Sequence, residues 1–481
     1  MLHKRLMPPR VLRNCFILAF AAILTCWGTH TLLTSGTAAT SVPAKAGASA
    51  ASTMPATSRA PIITALGTAT YSPPGKAAGE NSTAAKRATA TKFPVVTKVS
   101  AAPPATASLC ATTTTGLAIH VCDGQLVNGS GQAVQLRGVN VTGTENACAQ
   151  GAGFSWGSNN NQAEVNTSVA ALLSWDINAV RVPLNEDCWL GINGVPAAYS
   201  GANYRNNIMA WVTALNNAGI YTILDLHTAG SGSVDGTYPN NWPMADADHS
   251  ITFWSQVASA YKSDQAVLYD LYNEPFIGRS NPTSGNWRCW LDGCSDQADA
   301  PAPASDYNLA GMQQLLNAVR SAGASQPVMV AGLDWETNPC KSDGDSSQAC
   351  PQLSYMPKDT LSPAQLVMSW HTYGQETGTC ITVSCWNNLA STMKEAGIPV
   401  VTGEFGDSAD TTGGCSYVQP FMDWADQQSP KISYLAWAWQ AGGQSSDAFD
   451  LISNWTGSPS SMSDGGPAIR SHLLGEGNIS C

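Results

Sequence analysis

The chain has 481 residues and a formal net charge of −11, and 12% of its residues are charged. This length allows two or three domains, or one large barrel with a tail. The charge is divided unevenly, because residues 1–109 hold eleven Lys and Arg and a single acid, Glu80. The rest of the chain therefore carries twelve of the 23 basic and 33 of the 34 acidic side chains. An acidic body of this kind argues against a nucleic-acid partner.

The N-terminal 44 residues have the layout of an export signal. Four basic residues precede an apolar segment over 15–27, which is shorter than the span of about 20 residues that a membrane helix needs. We predict a signal peptide or an uncleaved signal anchor over 1–44, and therefore a secreted or cell-surface protein. Residues 45–109 are rich in Ala, Thr, Ser and Pro, which favours a disordered linker. This segment could tether the protein to a membrane or a cell wall.

The cysteines indicate an oxidising compartment. Of fourteen, two lie in the predicted signal, and the remaining even number allows up to six disulfides. No Cys-x-x-Cys spacing occurs, so a zinc site is not expected. Close spacing or adjacent loops suggest four pairs, and the partners of the other cysteines stay open. The suggested pairs are Cys289–Cys294, Cys340–Cys350, Cys380–Cys385 and Cys148–Cys188.

After residue 110, buried strands alternate with amphipathic helices. A short hairpin is predicted over 116–134, with its turn at 128–131, where it could plug the bottom of a barrel. The predicted strands are 134–139, 179–184, 220–226, 267–272, 327–332, 365–370, 399–403 and 432–439. The predicted helices are 165–175, 208–218, 251–261, 307–322, 389–396, 418–427 and 468–474. This alternation predicts an α/β fold, a single (β/α)8 TIM barrel over 110–481, rather than an open doubly wound sheet.

Polar residues stand where these strands end. In Leu268–Pro275, an apolar and aromatic run leads to Asn273 and Glu274, and the proline stops the strand. The other strand ends carry Asn140, Arg181, His227, Glu336, His371, Tyr373, Glu404, Trp437 and Trp439. Active sites of (β/α)8 barrels lie at the carboxyl ends of the strands. The ring therefore predicts a catalytic site.

Glu274 and Glu404 stand out within this ring. They follow the fourth and seventh strands, which lie on opposite sides of a barrel mouth, so both can face one bound molecule. Glycoside hydrolysis needs two such carboxyl groups, one protonated to serve the leaving oxygen and one ionised to attack the sugar. Arg181 and Tyr373 could keep Glu404 ionised by charge and hydrogen bonding. Asn273 could reach a sugar hydroxyl beside the reacting carbon.

The motifs around these residues resemble those of glycoside hydrolase family 5, the cellulase family of the four/seven barrel clan. The resemblance extends over 116–475 and includes Asn273-Glu274-Pro275 and Gly403-Glu404-Phe405-Gly406. Further matching motifs are Leu136-Arg137-Gly138-Val139-Asn140, Arg181-Val182-Pro183, Leu224-Asp225-Leu226-His227, Trp370-His371-Thr372-Tyr373 and Trp437-Ala438-Trp439. The resemblance implies retaining hydrolysis, with Glu274 as acid/base and Glu404 as nucleophile. It also implies supporting roles for Asn273, Arg181, His227, His371 and Tyr373.

Tryptophans are the predicted sugar platforms. We favour Trp437 beneath the reacting sugar, although alternation along the strand places Trp439 on the same face. Seven tryptophans lie in the predicted upper loops, and we expect two or three of them to touch sugar. We choose Trp189 and Trp242, because each follows a strand end closely. The seven are Trp156, Trp189, Trp242, Trp287, Trp290, Trp335 and Trp386.

Further acids near the mouth are expected to be hydrogen-bond acceptors in loops or behind the site. They are Glu145, Glu186, Asp187, Asp334, Glu336 and Asp407. Their spacing does not match a calcium loop, so we predict no required metal and no cofactor.

The predicted function is a secreted, monomeric β-glycanase that acts on a β-linked polysaccharide or oligosaccharide, with endo-β-1,4-glucanase (cellulase) as the first choice. A β-mannanase or an exo-acting β-glycosidase is the alternative within the same fold. A catalytically silent carbohydrate-binding barrel is the alternative from another class. Retention of both Glu274 and Glu404 argues against a silent barrel.

Overall fold

Eight parallel strands close into a barrel in the computed structural model of the chain. The structure describes residues 110, 116–155, 160–230, 242–279, 281–295, 308–340, 350–376, 379–407, 416–441, 449–460 and 465–479. The barrel strands are β3 (Arg137–Val141), β4 (Ala179–Asn185), β5 (Tyr221–Thr228), β6 (Val267–Asp270), β7 (Val328–Ala331), β8 (Leu366–Tyr373), β9 (Val400–Gly406) and β10 (Ser433–Trp439). They pair in this order, and β10 closes the ring against β3. The predicted (β/α)8 barrel is therefore confirmed.

Helices between the strands bury the outer face of the ring. They are α1 (Gln162–Leu173), α2 (Glu186–Leu190), α3 (Ala202–Asn217), α4 (Ser250–Tyr261), α5 (Ser284–Asp292), α6 (Met312–Ser321), α7 (Pro351–Tyr355), α8 (Val383–Ala396), α9 (Val418–Gln427) and α10 (Gly466–Leu473). Because both strand faces are covered, the strands are buried along almost their whole length; every residue of β8 is buried. Local signals set several helix ends. The Asn161 side chain caps α1, and Gly397 ends α8 in the left-handed conformation.

One predicted helix begins later than expected. The prediction over 307–322 was too long, since α6 starts at Met312. Leu309 instead forms isolated bridges with Asp246 and Cys294. Gly311 then starts the helix with an extended backbone. Pairing with distant residues thus overrides helix propensity at this end of the helix. Residue 307, where the predicted helix began, lies outside the described part.

The N-terminal hairpin is present, but its turn was predicted in the wrong place. Strand β1 (Ile119–Cys122) pairs with β2 (Gln125–Asn128) across a two-residue turn at Asp123 and Gly124. Both turn residues have positive φ, 49° and 71°, as a type I′ hairpin requires. The Asp-Gly pair is a strong hairpin signal, and it determines the turn in place of the glycine-rich 128–131.

This hairpin closes the lower end of the barrel, as predicted. Ile119, Val121 and Leu126 are buried in one apolar cluster with residues of the barrel strands. The strand members are Ala179, Tyr221, Ile223, Leu268, Met329, Val367, Val401 and Leu435. The Val121 N–H also donates to the side chain of Gln365, 2.7 Å away. The lower barrel is therefore filled, which leaves the opposite, carboxyl end as the place for a site.

Among the described residues, five disulfides link segments around this frame. The four suggested pairs, Cys148–Cys188, Cys289–Cys294, Cys340–Cys350 and Cys380–Cys385, are confirmed. A fifth, Cys110–Cys122, anchors the start of the described chain to β1. The predictions for Cys415 and Cys481, for the signal over 1–44 and for the linker over 45–109 lie outside the described residues. Within the described part, no helix has the length and apolar character that crossing a bilayer requires.

Candidate active site

Arg181 lies at the centre of the predicted ring, on β4. Its guanidinium is fully buried and bonds Glu404 (Nη1 to Oε1, 2.7 Å), Asp270 (Nε to Oδ2, 3.0 Å) and Asn273 (Nη2 to Oδ1, 2.9 Å). Asp225 completes the arrangement, 3.1 Å from Nη2. Burial opposes the charge of Arg181, but the three surrounding carboxylates outweigh it and raise its pKa. Arg181 is therefore a permanent cation that organises the floor of the site.

Glu404 projects from β9 beside β8. The register between the two strands shifts so that Trp370 pairs with Thr402 and His371 with Glu404, which leaves Gly403 as an extra residue. A side chain at Gly403 would place its Cβ 3.0 Å from His371 Nε2, so any larger residue here would press on the His371 ring. The second oxygen of Glu404, Oε2, accepts a hydrogen bond from the Tyr373 hydroxyl at 2.5 Å.

Glu274 reaches the same place from the loop after β6. The ladder ends at Asp270, earlier than the predicted 272, although the Asn273 N–H still donates to the Leu226 carbonyl at 3.0 Å. Glu274 itself has a φ of 52° and keeps 21% of its side chain exposed, against 4% for Glu404. One oxygen of Glu274 lies within 4.8 Å of one oxygen of Glu404. The two predicted catalytic carboxylates thus face each other at close range.

His371 stands between the two carboxylates. Its Nδ1 lies 3.1 Å from Glu274 Oε1 and 3.6 Å from Glu404 Oε2. Complete burial lowers the pKa of His371 to about 3. The imidazole is therefore neutral at ordinary pH, and its contact with Glu274 is a hydrogen bond rather than an ion pair.

His227 and Trp437 form a stacked aromatic pair at the site. Their rings stack with centroids 5.4 Å apart and planes 7° from parallel. The Asp225 carboxylate lies 2.7 Å from His227 Nδ1, and this contact raises the pKa of His227 against the opposing effect of burial. Trp437 remains partly exposed, so its predicted role as a sugar platform stays a prediction.

Three of the tryptophans chosen as sugar platforms are core residues instead. Trp439 is fully buried and packs edge-on against Trp175, 4.9 Å away. Alternation failed because β10 bulges against β3: Ala436 pairs with Val139 but Trp439 with Val141, which sends Trp437 and Trp439 to different faces.

Trp189 and Trp242 were also predicted wrongly. Trp189 is fully buried on α2 and packs against Tyr204 and Phe253. Trp242 is 3% exposed and lies in the same core, where its carbonyl accepts a hydrogen bond from Tyr272. Among the loop tryptophans that the structure describes, only Trp335 keeps a partly exposed ring. Trp156 lies outside the described residues.

Two site residues were missed, although the sequence carries a signal for each. Asp225 precedes His227 by two residues on β5, so both side chains point to the same face. Asp270 is an acid inside the apolar run of β6, where only a buried partner would tolerate it. Burial raises the pKa of Asp270 to about 7, and nearby Arg181 counteracts this shift.

Among the described residues, three sets of side chains bring potential metal ligands together, and one of them contains the disulfide-bonded Cys110 and Cys122 with Asp123. The other two involve acids and histidines. They are Glu274, His371 and Glu404 at the site, and Glu186, Asp246 and His249 beside it. The first set already has hydrogen-bonding partners that suit catalytic carboxylates. In the second, the Ser250 hydroxyl bonds Glu186 at 2.5 Å and Asp246 at 3.2 Å, so the acids are linked without an ion. That no metal is required stays a prediction.

The sequence is similar to those of known glycoside hydrolases. The family description "Cellulase (glycosyl hydrolase family 5)" matches residues 127–443. A mannan endo-1,4-beta-mannosidase of Streptomyces lividans is 22% identical, over 73% of this chain and 73% of that protein. Cellulase CelDZ1 of a Thermoanaerobacterium species is 22% identical, over 59% of this chain and 64% of the relative.

A solved structure shares the fold. The catalytic domain of Thermobifida fusca endoglucanase Cel5A superposes with a TM-score of 0.50 at 18% identity, over 74% of this chain and 97% of that domain. The family match spans most of the barrel and both facing glutamates. The chain belongs to the cellulase family, glycosyl hydrolase family 5, and is a glycoside hydrolase.

Proposed function

We propose that the chain is a retaining endo-β-1,4-glucanase in which Glu274 is the acid/base and Glu404 the nucleophile. The observation that carries the proposal is the approach of the two carboxylates, whose facing oxygens lie within 4.8 Å. Retaining glycosidases hold their carboxyl groups about 5–5.5 Å apart, whereas inverting enzymes leave about 6.5–9.5 Å for a water molecule. The spacing here suits direct attack by a carboxylate.

The contacts of each glutamate support its role in the first step. Glu404 receives hydrogen bonds from Arg181 and Tyr373, which stabilise its ionised form for attack on the anomeric carbon. Tyr373 can donate throughout, because burial and nearby Glu404 raise the pKa of its hydroxyl well above the ordinary value. Glu274 is the more exposed carboxyl, where a departing sugar can take its proton. The glycosidic bond breaks as the Glu404–sugar ester forms.

The second step reverses the role of Glu274. The carboxylate left after proton donation takes a proton from water, and that water attacks the anomeric carbon and releases Glu404. The neutral His371 imidazole, 3.1 Å away, can present an N–H to Glu274 in its ionised form. Asn273 is held by Arg181, with its side-chain nitrogen available for a sugar hydroxyl.

Glucan and mannan are the two substrates that relatives suggest. The Thermoanaerobacterium relative is named a cellulase and the Streptomyces relative a mannosidase acting on mannan. A variant of the Thermobifida endoglucanase domain has been solved with cellotetraose. We choose β-1,4-glucan, and β-mannan is the second candidate because the mannosidase matches the larger share of this chain.

A panel of purified polysaccharides tests the choice. The protein should release short oligosaccharides from carboxymethylcellulose and barley β-glucan, and product sizing should show internal cleavage. Release from mannan alone would overturn the glucan assignment and keep the mechanism. NMR of the first product should show the β anomer; an α anomer would exclude retention. Hydrolysis of no β-linked substrate would favour a binding barrel.

We further propose that the protein is exported. The five disulfides support an oxidising compartment. Expression of the full chain in a secreting host, followed by N-terminal sequencing of the protein in the medium, should locate a cleavage site within 1–44. Retention of all the protein inside the cell would contradict export.

A further inference from the structure

The loop after β7 adopts an unusual backbone next to Glu274. Three consecutive residues, Asp334, Trp335 and Glu336, have φ values of 63°, 55° and 61°, and Glu274 on the facing loop has 52°. A residue other than glycine costs roughly 1 kcal/mol or more in this conformation, so surrounding contacts must hold it. Such clusters of strained residues are typical of functional sites.

Three contacts tie this loop to the one that carries Glu274. The Trp335 N–H donates to the Pro275 carbonyl at 3.0 Å. The Trp335 ring stacks on Phe276 with centroids 5.1 Å apart. Glu336 Oε1 accepts a hydrogen bond from the backbone N–H of Glu274 at 2.8 Å. Of the three, only the contact from Glu336 reaches Glu274 itself.

Glu336 also contacts the histidine that serves Glu274. Its Oε2 lies 3.4 Å from His371 Nε2, and its main-chain carbonyl accepts from the His371 N–H at 3.1 Å. The other ring nitrogen of His371 faces Glu274 Oε1. One residue, fully buried, therefore borders both the backbone of Glu274 and the imidazole against the Glu274 carboxyl.

The chemistry of Glu336 suits this double contact. Burial, together with nearby Asp270, raises the pKa of Glu336 well above its ordinary value, which favours the neutral carboxyl. A neutral acid can accept a hydrogen bond with one oxygen and donate with the other. Glu336 Oε2 and His371 Nε2 are both buried without a hydrogen-bond partner among the described residues, and they lie 3.4 Å apart. A slight closure of this gap would let the acid donate to Nε2, which leaves the imidazole proton on Nδ1, where it points at Glu274. That N–H stabilises the carboxylate that forms when Glu274 gives up its proton.

We propose that Glu336 is a positioning residue for the acid/base: it fixes the backbone of Glu274 and directs the proton of His371 toward the Glu274 carboxyl. This inference rests on the proposed role of Glu274. Its effect should appear only where proton donation to the leaving group limits the reaction. A purely structural residue would affect all substrates alike.

The test compares Glu336→Leu with Glu336→Gln on two aryl β-glycosides of the sugar that the polysaccharide panel selects. A 2,4-dinitrophenyl leaving group needs no proton, whereas a phenyl leaving group does. Glu336→Leu should lower kcat/KM for the phenyl substrate on the order of 10- to 100-fold. For the dinitrophenyl substrate, the change should stay below about threefold. Glu336→Gln, whose amide can still accept from Glu274 and donate to His371, should restore most of the phenyl activity.

Two controls separate the possible failures. Thr337→Val removes a 2.7 Å loop hydrogen bond to the Asp334 carbonyl and leaves the contact between Glu336 and Glu274 in place. The ratio of kcat/KM for the phenyl and dinitrophenyl substrates should therefore stay unchanged in this variant. Glu274→Ala should show the strongest dependence on leaving group; if it shows none, the acid/base assignment fails. Suppose that Glu274→Ala shows this dependence, but Glu336→Leu lowers kcat/KM equally for both substrates or for neither. Then only the inference about Glu336 is overturned.

A further variant covers the case in which Glu336→Leu does not fold. Glu336→Asp keeps the acid but is one methylene too short to span both contacts. It should lower kcat/KM for the phenyl substrate more than for the dinitrophenyl substrate. The same relative change in kcat/KM for both substrates would contradict the inference.

Discussion

Arg181 Nη1 donates to Glu404 Oε1 across 2.7 Å, in an interior where the Arg181 side chain has no exposed surface. The same guanidinium bonds Asp270 and Asn273, and Asp225 lies within 3.1 Å. One cation therefore balances three carboxylates and holds the residue next to Glu274 in the chain. Stability and catalysis depend on the same side chain.

Replacing Arg181 should destabilise the fold and disable the site together. Arg181→Met leaves three buried carboxylates without a cation, and loss of one partner from a buried pair costs about 3–5 kcal/mol. Urea unfolding followed by circular dichroism measures the loss. The matched control is Arg137→Met, since Arg137 forms a surface pair with Asp176 at 3.2 Å that is 26% and 69% exposed. Such pairs contribute about 0–1 kcal/mol. Equal losses in the two variants would contradict the central role of Arg181.

Removal of the nucleophile should abolish turnover and spare the fold. Glu404→Ala is expected to lower kcat on the order of 10⁴-fold or more. Added azide should then occupy the vacated space and attack the anomeric carbon directly, giving an α-glycosyl azide from an activated β-glycoside. In Glu274→Ala, azide should instead attack the glycosyl–enzyme and give the β-glycosyl azide. Identification of the azides by NMR checks both assignments, and exchanged products would reverse the two roles.

Trp437 and Trp439 should respond differently to truncation. Trp437→Ala removes the partly exposed ring that stacks on His227, so kcat/KM should fall while the unfolding free energy changes little. Trp439→Ala empties a buried position against Trp175 and should cost about 3–5 kcal/mol with little effect on kinetics at low temperature. Thermal unfolding and aryl-glycoside kinetics on both variants provide the comparison. A catalytic loss confined to Trp439→Ala would restore the assignment of Trp439 to the site.

The contrast between these tryptophans shows where sequence reasoning succeeds. Periodicity is enough to predict the barrel, because strands covered on both faces must be apolar throughout and helices must show one apolar stripe. Strand ends converge at one end of a parallel barrel, so the sequence alone predicts that Arg181, Glu274, Tyr373 and Glu404 lie together. The topology of the barrel is thus enough to group these residues, without knowledge of their individual contacts.

β-Bulges and contacts between buried charged residues could not be predicted from the sequence. A single extra residue in β10 reverses the face of Trp439, and another at Gly403 brings Glu404 beside His371. No pattern of period two can reveal where such a residue is inserted. The same holds for Glu336, whose importance comes from a positive φ and from contacts with two residues distant in the chain.

Glu145 gives the fold a pH dependence of predictable sign. It is 3% exposed, and burial raises its pKa from 4.5 to about 7. The folded state therefore keeps a proton that the unfolded chain releases above pH 4.5, so the free energy of unfolding falls as the pH rises from about 4.5 to 7. Glu145→Gln removes this dependence. Relative to the variant, the unaltered protein should lose on the order of 3 kcal/mol between pH 4 and 8, at about 1.4 kcal/mol per unit of pKa shift.

Asp359 offers the control of opposite sign for the Glu145 experiment. Burial would raise its pKa, but hydrogen bonds from Arg320 at 2.8 and 2.9 Å outweigh burial and lower it. Its contribution is present above the unfolded pKa and lost as the pH falls. Asp359→Asn should therefore destabilise at pH 7 and converge with the unaltered protein in acid. Denaturant unfolding of both variants at a series of pH values measures the two slopes. Parallel curves for Glu145→Gln and the unaltered protein would show that Glu145 is already ionised in the folded state.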